Sequence, residues 1–480
     1  MLSGAPLWTR CIGSGCNLLS RQRRFCFYRA VARSPNRRCV RWLEGQLPEL
    51  VSHGVVPSET AQAIQRHYQA AQSRWTNLGF VLLAMTGSTL VAAGIILLIA
   101  HNWDDFSRGL RTVIAFLPLI IAQALAMFVL MRRNDSQPWR EAAAIFDVAA
   151  VAAAISLISQ TYQIQGSFAD FLKIWLLLSI PVVYLFRTTF GAVAYIIGAV
   201  AWLLDKAGFF SIKLPGQMFF WALLVLVIPY YAAALRRDRC GREFKIISIL
   251  LVFAVASGLA VTIDFTKTDF GSVAFAGFFT AVYLWGMTLG DDEGRALNVL
   301  SMLGAIGLGI TAVVLSFETM WHLRSKLDWS ALSLEGWIGV AIQLLFPLLA
   351  ILLAGWTYWR RKKIPYSIAA AAMPVVTIAA WIFANLATGE ERSFRTRYSM
   401  CAAIFFNVYT LVLGIELLAR GIRAGSIARA NFGLTVIAAL ALARFFDSDL
   451  SFVTRGLGFI VVGAGFLIAN ILFFKRRVAA

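Results

Sequence analysis

From Leu78 to Phe474 the chain is a near-continuous series of apolar runs separated by short charged gaps. There are about fourteen, at 78–100, 110–131, 142–160, 171–187, 189–205, 217–235, 244–263, 272–289, 297–316, 336–358, 365–387, 399–419, 427–444 and 455–474, most near the ~20 residues a helix needs to cross a bilayer. Hydrophobic residues are 59% of the 480, more apolar surface than a soluble globule can hide. In hydrocarbon every backbone amide and carbonyl must find its partner within the protein, so such runs fold as helices. The fold expected is all-α: a polytopic transmembrane helical bundle over 78–480, entered through a short helical hairpin over 38–77.

The net charge of +19 would in a soluble protein point to nucleic acid. Its placement points to topology instead. Alternate gaps carry Arg132-Arg133, Arg236-Arg237 with Arg239, Arg360-Arg361-Lys362-Lys363 and Lys475-Arg476-Arg477. The opposite gaps carry Asp104-Asp105, Asp264 with Asp269, Glu390-Glu391, and Asp447 with Asp449. Basic loops stay on the cytoplasmic side, so both termini are expected in the cytoplasm. There the basic loops would meet anionic lipid headgroups. No nucleic-acid partner is expected.

Residues 1–37 differ from the rest: they are rich in Arg and hold no acidic residue. This composition suits either a transit-like extension or a start assigned too early, with Val31 one alternative, and disorder is expected in both cases. From Arg38 to Arg74, Trp42, Leu43, Leu47, Leu50 and Val51 recur at helical spacing and Gly54 closes that helix. Pro57 and Ser58 open a second helix carrying Ala61, Ile64 and Tyr68. This hairpin is either a docking module or an amphipathic element lying on the membrane. The six cysteines contain no Cys-x-x-Cys pair and the four histidines are dispersed, so no metal, haem or other cofactor is expected. No Walker lysine motif, zincin helix or nucleophile elbow occurs, so no catalytic residue is assigned.

Five prolines, Pro118, Pro181, Pro229, Pro347 and Pro374, fall inside runs and should kink their helices. Small residues four apart, Ala84-Ser88-Ala92 and Ser301-Ala305-Gly309, predict close helix–helix approach. Comparing the first seven runs with the last seven gives no shared motif beyond an aromatic-acid pair at an outer helix end.

Two groups of polar residues are site candidates. At the outer ends of the runs, His101, Asn102, Trp103, Asp104 and Asp105 leave the first span, Gln160, Tyr162 and Gln163 end the third, and Arg444 and Asp447 end the thirteenth. Together these would form either a ligand site or a lid that closes the bundle. Trp103 alone reads as an interfacial anchor, with Asn102 or the aspartates capping the next helix. Within the membrane, Asp147 has no partner nearby in sequence and is a proton-relay candidate. Glu416 is explained by an i,i+4 pair with Arg420. Gln123, Gln343 and Asn407 either bond neighbouring helices or line a transport path, which would require a hydrated cavity reaching them.

The segments Arg41-Trp42-Leu43-Glu44 through Gly54 and Pro57, Ile99-Ala100-His101-Asn102-Trp103-Asp104, and Ser159-Gln160-Thr161-Tyr162-Gln163 with Trp175 and Pro181 resemble one family. It is the bacterial multipass membrane proteins catalogued as domain of unknown function 2157. The resemblance covers roughly residues 38–200, with Arg444-Phe445-Phe446-Asp447 similar to the ends of long members. The Arg-rich front departs from the pattern. The family has no established activity, so the resemblance implies topology without mechanism. Three functions stay open. One is a transporter or flippase-like carrier of a small polar or lipid-linked solute. Another is a non-transporting envelope-assembly or sensor protein that binds through the hairpin and the 317–335 loop. The third is a membrane enzyme acting at the outer cluster.

Overall fold

The computed structural model describes residues 47–54, 56–64, 103–207, 217–239, 241–266, 270–289, 298–322, 333–361, 367–386, 392–423 and 426–447, with isolated positions near 460–467. The Arg-rich front, the first expected span with its Ala84-Ser88-Ala92 stripe, His101 and Asn102 lie outside these residues. So do Asp449 and nearly all of the last expected span. The chain divides into two compact units, one up to Val113 and one from Ile114 onward.

In the first unit, residues 47–52 and 58–64 are helical. Gly54 sits between them at φ +69°, with its amide bonded back to the Val51 carbonyl at 3.1 Å. Pro57 follows and its carbonyl accepts the Ala61 amide at 3.0 Å, starting the second segment. A left-handed glycine and a proline are the residues that stop one helix and open another.

The described residues contain no strand. Helices α1 (Arg108–Arg132), α2 (Gln137–Thr161), α3 (Phe168–Phe186) and α4 (Thr189–Ala207) come first. Next are α5 (Gln217–Val225), α6 (Ile228–Arg237), α7 (Arg242–Thr266), α8 (Gly271–Leu289) and α9 (Val299–Leu315). The series ends with α10 (Thr319–His322), α11 (Leu334–Arg361), α12 (Ile368–Leu386), α13 (Arg392–Arg423) and α14 (Ile427–Asp447). Among the described residues nine helices are long and apolar enough to cross a membrane, counting α5–α6 as one, and three apolar helices, α4, α9 and α12, are shorter. The nine and the three account for the second to the thirteenth expected runs. The separation of the fourth and fifth, carried in sequence only by Arg187-Thr188, is made by Arg187 at φ +50°.

Two lobes of core are visible in the second unit. Ala126, Val129, Val148 and Phe186 join α1, α2 and α3, and Leu176, Tyr195, Leu223, Val227 and Ile247 extend the packing through α4 to α7. Tyr283, Leu308, Met373 and Phe406 join α8, α9, α12 and α13. Leu259 and Phe278, with Phe346 against them, tie α7 to α8 and α11. α8 is the central helix: 56% of its apolar window is buried inside the protein, against 22% for α1.

The outer surface of α11 shows how the bundle meets lipid. Leu344, Leu345, Leu348, Leu349 and Leu352 are exposed, and exposed Trp337 and Trp359 bracket them. At 1.5 Å per residue the two tryptophans stand roughly 33 Å apart along the helix, close to the thickness of a hydrocarbon core, with aromatic rings at both interfaces.

Close backbone packing sets the position of α8. A Cβ added at Gly286 would lie 2.2 Å from the Ser301 amide nitrogen of α9, and one added at Gly304 of α9 would lie 2.4 Å from the Tyr283 nitrogen. The small-residue stripe expected on this helix was Ser301-Ala305-Gly309. Ser301 does take part, but Gly304 rather than Ala305 or Gly309 makes the return contact, because the face is set by α8. Across α8, a Cβ at Gly277 would lie 2.3 Å from the Pro347 nitrogen. Substituting Val at Gly286 or Gly304 should destabilise the protein by about 2 kcal/mol or more through overpacking. Gly355→Ala, which meets nothing within 4 Å, should leave stability unchanged or slightly raised. Thermal unfolding in detergent micelles measures both; equal melting of all three variants would contradict this packing.

Candidate functional site

Helix ends inside a membrane protein leave amide groups that water does not reach. Two glutamates from other helices answer this for α4 and α12. Glu141, in the first turns of α2, accepts the Thr189 and Phe190 amides, each at 3.1 Å. Glu416, near the end of α13, accepts the Ile368 and Ala369 amides at 2.8 and 2.9 Å and the Ser367 hydroxyl at 2.8 Å. The third amide goes in each case to the cap hydroxyl: Gly191 N–H to Thr188 Oγ1 and Ala370 N–H to Ser367 Oγ. A tyrosine meets each cap residue too. Tyr230 donates to the Thr188 carbonyl at 2.9 Å, and the Ser367 amide donates to the Tyr283 hydroxyl at 3.2 Å. The Glu416–Arg420 pair expected from the i,i+4 spacing is present at 2.8 Å, and capping α12 is a second role that the spacing did not reveal.

The intramembrane candidates divide in two. Gln343 is fully buried and donates to Thr266 Oγ1 at 2.8 Å. Thr266 in turn donates to the Thr262 carbonyl, and Thr262 Oγ1 accepts Trp221 Nε1–H at 3.1 Å, a polar ladder joining α5, α7 and α11. Asn407 donates to the Ser316 and Ala403 carbonyls at 3.1 and 2.8 Å. Both amides therefore bond neighbouring segments. Asp147 is different. It is 3% exposed, and its Oδ1 accepts Gln123 Nε2–H at 2.8 Å across α1 and α2. The partner that Asp147 lacks nearby in sequence is thus another candidate, twenty-four positions away. One residue on, the Val148 carbonyl accepts Trp175 Nε1–H at 3.0 Å.

The contacts described for the outer-face candidates are with their own neighbouring segments. Trp103–Asp105 is one 3-10 turn. Trp103 is buried, with the Arg111 guanidinium 5.8 Å from its ring, and Asp105 is exposed. The side chain accepting an amide at the start of α1 is Ser107, from Leu110 at 3.4 Å. The Asp104 and Asp447 side chains lie outside the described atoms. Gln160, Tyr162 and Gln163 are exposed and end α2 in a Schellman turn: Ile164 N–H reaches the Ser159 carbonyl at 2.9 Å, Gln163 N–H reaches Gln160 at 3.4 Å, and Gln163 takes φ +52°. Arg444 stands over the Phe317 ring at 4.6 Å and donates to Ser316 Oγ at 3.3 Å. It thereby joins α14 to the segment after α9, where Ser399 also reaches Glu318 at 3.2 Å.

The sixth span is broken at its middle. α5 ends at Val225 and α6 begins at Ile228. Pro229 has no N–H for the Val225 carbonyl, Val227 turns back to Leu224 at 3.0 Å, and the Leu226 carbonyl takes the Tyr184 hydroxyl instead. Tyr195 packs in the same core as Leu224 and Val227. Its hydroxyl and that of Ser179 are buried without a hydrogen-bond partner among the described residues.

Taken together, the nine long apolar helices among the described residues and the outward-facing leucines of α11 define a polytopic helical membrane protein. Residues 48–192 match the family of predicted membrane proteins with domain of unknown function 2157, the family that the sequence segments above resemble. No curated protein and no solved structure matches the chain.

Replacing Glu141 or Glu416 with Ala should cost about 0.5–2 kcal/mol each, the range for losing an N-terminal helix cap. Hydrogen exchange at residues 189–190 or 368–369 should accelerate in the matching variant only. Gln163→Gly should stabilise by about 1 kcal/mol, because glycine occupies the left-handed region without strain. A melting temperature lowered by this change would contradict the turn geometry.

Proposed function

We propose that the protein is a carrier in a bacterial cytoplasmic membrane, moving a small polar or lipid-linked solute. Both termini would face the cytoplasm and the basic loops would face anionic headgroups. The observation that carries this reading is the break in the sixth span. Irregular backbone at membrane depth is tolerated where it is buried in protein or lines a wet cavity, and half-helix ends at mid-membrane are where carriers hold their solutes. Beside this break the Tyr195 hydroxyl is buried without a hydrogen-bond partner among the described residues. Buried polar groups are almost always hydrogen-bonded, which supports a place for water or a polar solute there.

The bonds that Gln343 and Asn407 donate to neighbouring segments favour a second reading, a non-transporting assembly factor that binds partners through residues 38–74. Comparative metabolite and lipid profiling of a deletion strain separates the two. A solute that builds up and is cleared by the wild-type gene but not by Tyr195→Phe supports the carrier. Full clearance by Tyr195→Phe would remove the break from the mechanism. Loss of partner capture on deleting 38–74, with an unchanged profile, would replace the carrier by the assembly factor. Orientation is checked separately: a fluorescent reporter at the C-terminus should light up and a periplasm-dependent phosphatase there should stay silent.

A further inference from the structure

Asp147 is the one carboxylate placed deep in an expected span whose described surroundings offer it no cation. It is 3% exposed, and the bond it accepts is a single neutral amide N–H from Gln123 at 2.8 Å. Four helices bear on the question of a counter-ion: α2 itself and its packing neighbours α1, α3 and α4. On α2, Arg140 and Glu141 stand at its first turns, and Glu141 is committed to the start of α4. On α1, Arg108 and Arg111 lie toward one end and Arg132 at the other, with Gln123 between. On α3, Lys173 places its ammonium over the Phe219 ring at 5.5 Å. Asp170 closes the capping box with Ser167, and Tyr184 is bonded to Leu226. On α4, the ionisable groups are Tyr195, Asp205 and Lys206.

A carboxylate in hydrocarbon is costly unless paired with a cation or several hydrogen-bond donors. One amide donor from Gln123 is a small fraction of that requirement. A neutral carboxylic acid fits the same place well: its carbonyl oxygen accepts from Gln123, and its hydroxyl carries the proton. A metal cation would need several oxygens converging on it, and among the described residues no group of three or more His, Cys, Asp or Glu is placed to hold one. A proton needs one oxygen.

We propose that Asp147 and Gln123 form an intramembrane proton-binding site, with Asp147 taking up and releasing one proton and Gln123 holding the carboxyl in place. This deepens the carrier reading by naming its coupling ion as the proton, and rests on that reading only for the coupling. Binding is a simple equilibrium, carboxylic acid to carboxylate plus proton. Gln123 sits on an exposed face of α1, so the pair lies at the rim of the described bundle rather than in its centre.

The test is infrared difference spectroscopy of the full chain in bilayers of phosphatidylethanolamine and phosphatidylglycerol, which needs no solute. The expected result is a carboxylic-acid carbonyl band at neutral pH that disappears in Asp147→Asn and fades reversibly as the pH is raised. Gln123→Leu, which removes the donor while leaving the acid, should move that band to higher frequency. No Asp147-dependent band at any pH would overturn the site. So would a band that never responds to pH, which would make the acid a fixed structural group, or one displaced by sodium, which would make the ligand a metal cation. The profiling experiment fails independently. A pH-sensitive band with no accumulating solute keeps the proton site and rejects the carrier; accumulation without the band does the reverse.

Discussion

A helix that begins at the edge of a bilayer exposes amide groups that neither lipid nor the helix can satisfy. The carboxylates of Glu141 and Glu416 supply what α4 and α12 lack. Each carboxylate comes from a different helix of the same lobe, so the cap is also a tertiary tie: Glu141 fixes α2 to α4 and Glu416 fixes α13 to α12. The hydrogen bonds are charge-assisted and meet the positive end of the helix dipole, which strengthens both.

The repetition of this arrangement is informative because the sequence shows no repeat. In one lobe the order is Glu141, Thr188, Tyr230; in the other it is Tyr283, Ser367, Glu416. The glutamate precedes its capped helix in one lobe and follows it in the other. Sequence comparison in register cannot detect such a correspondence. It becomes visible only in which amides the carboxylate and the hydroxyl take at each helix start.

Much of the fold was legible in the chain. Hydropathy marked the spans because lipid forces them to be apolar and helical, and Gly54, Pro57 and Pro229 marked breaks because glycine and proline act through local backbone chemistry. The candidate sites were only half legible. Asp147, Gln123, Gln343 and Asn407 stood out as polar residues in apolar runs, but their partners are set by which helices pack together. Gln343 meets Thr266 and Asn407 meets the Ser316 carbonyl across long sequence separations. Arg444 stood out at the end of its run, and the contacts described for it, with Ser316 and Phe317, come from a segment more than a hundred positions earlier. The Tyr195 hydroxyl gave no signal at all, since a tyrosine in an apolar run reads as packing.

The glycine contacts of α8 bear on motion. With backbone against backbone at Ser301 on one side and at Pro347 on the other, this helix has little room to slide or turn against α9 and α11. Any rearrangement within the second unit should therefore carry α8, α9 and α11 together as one rigid block.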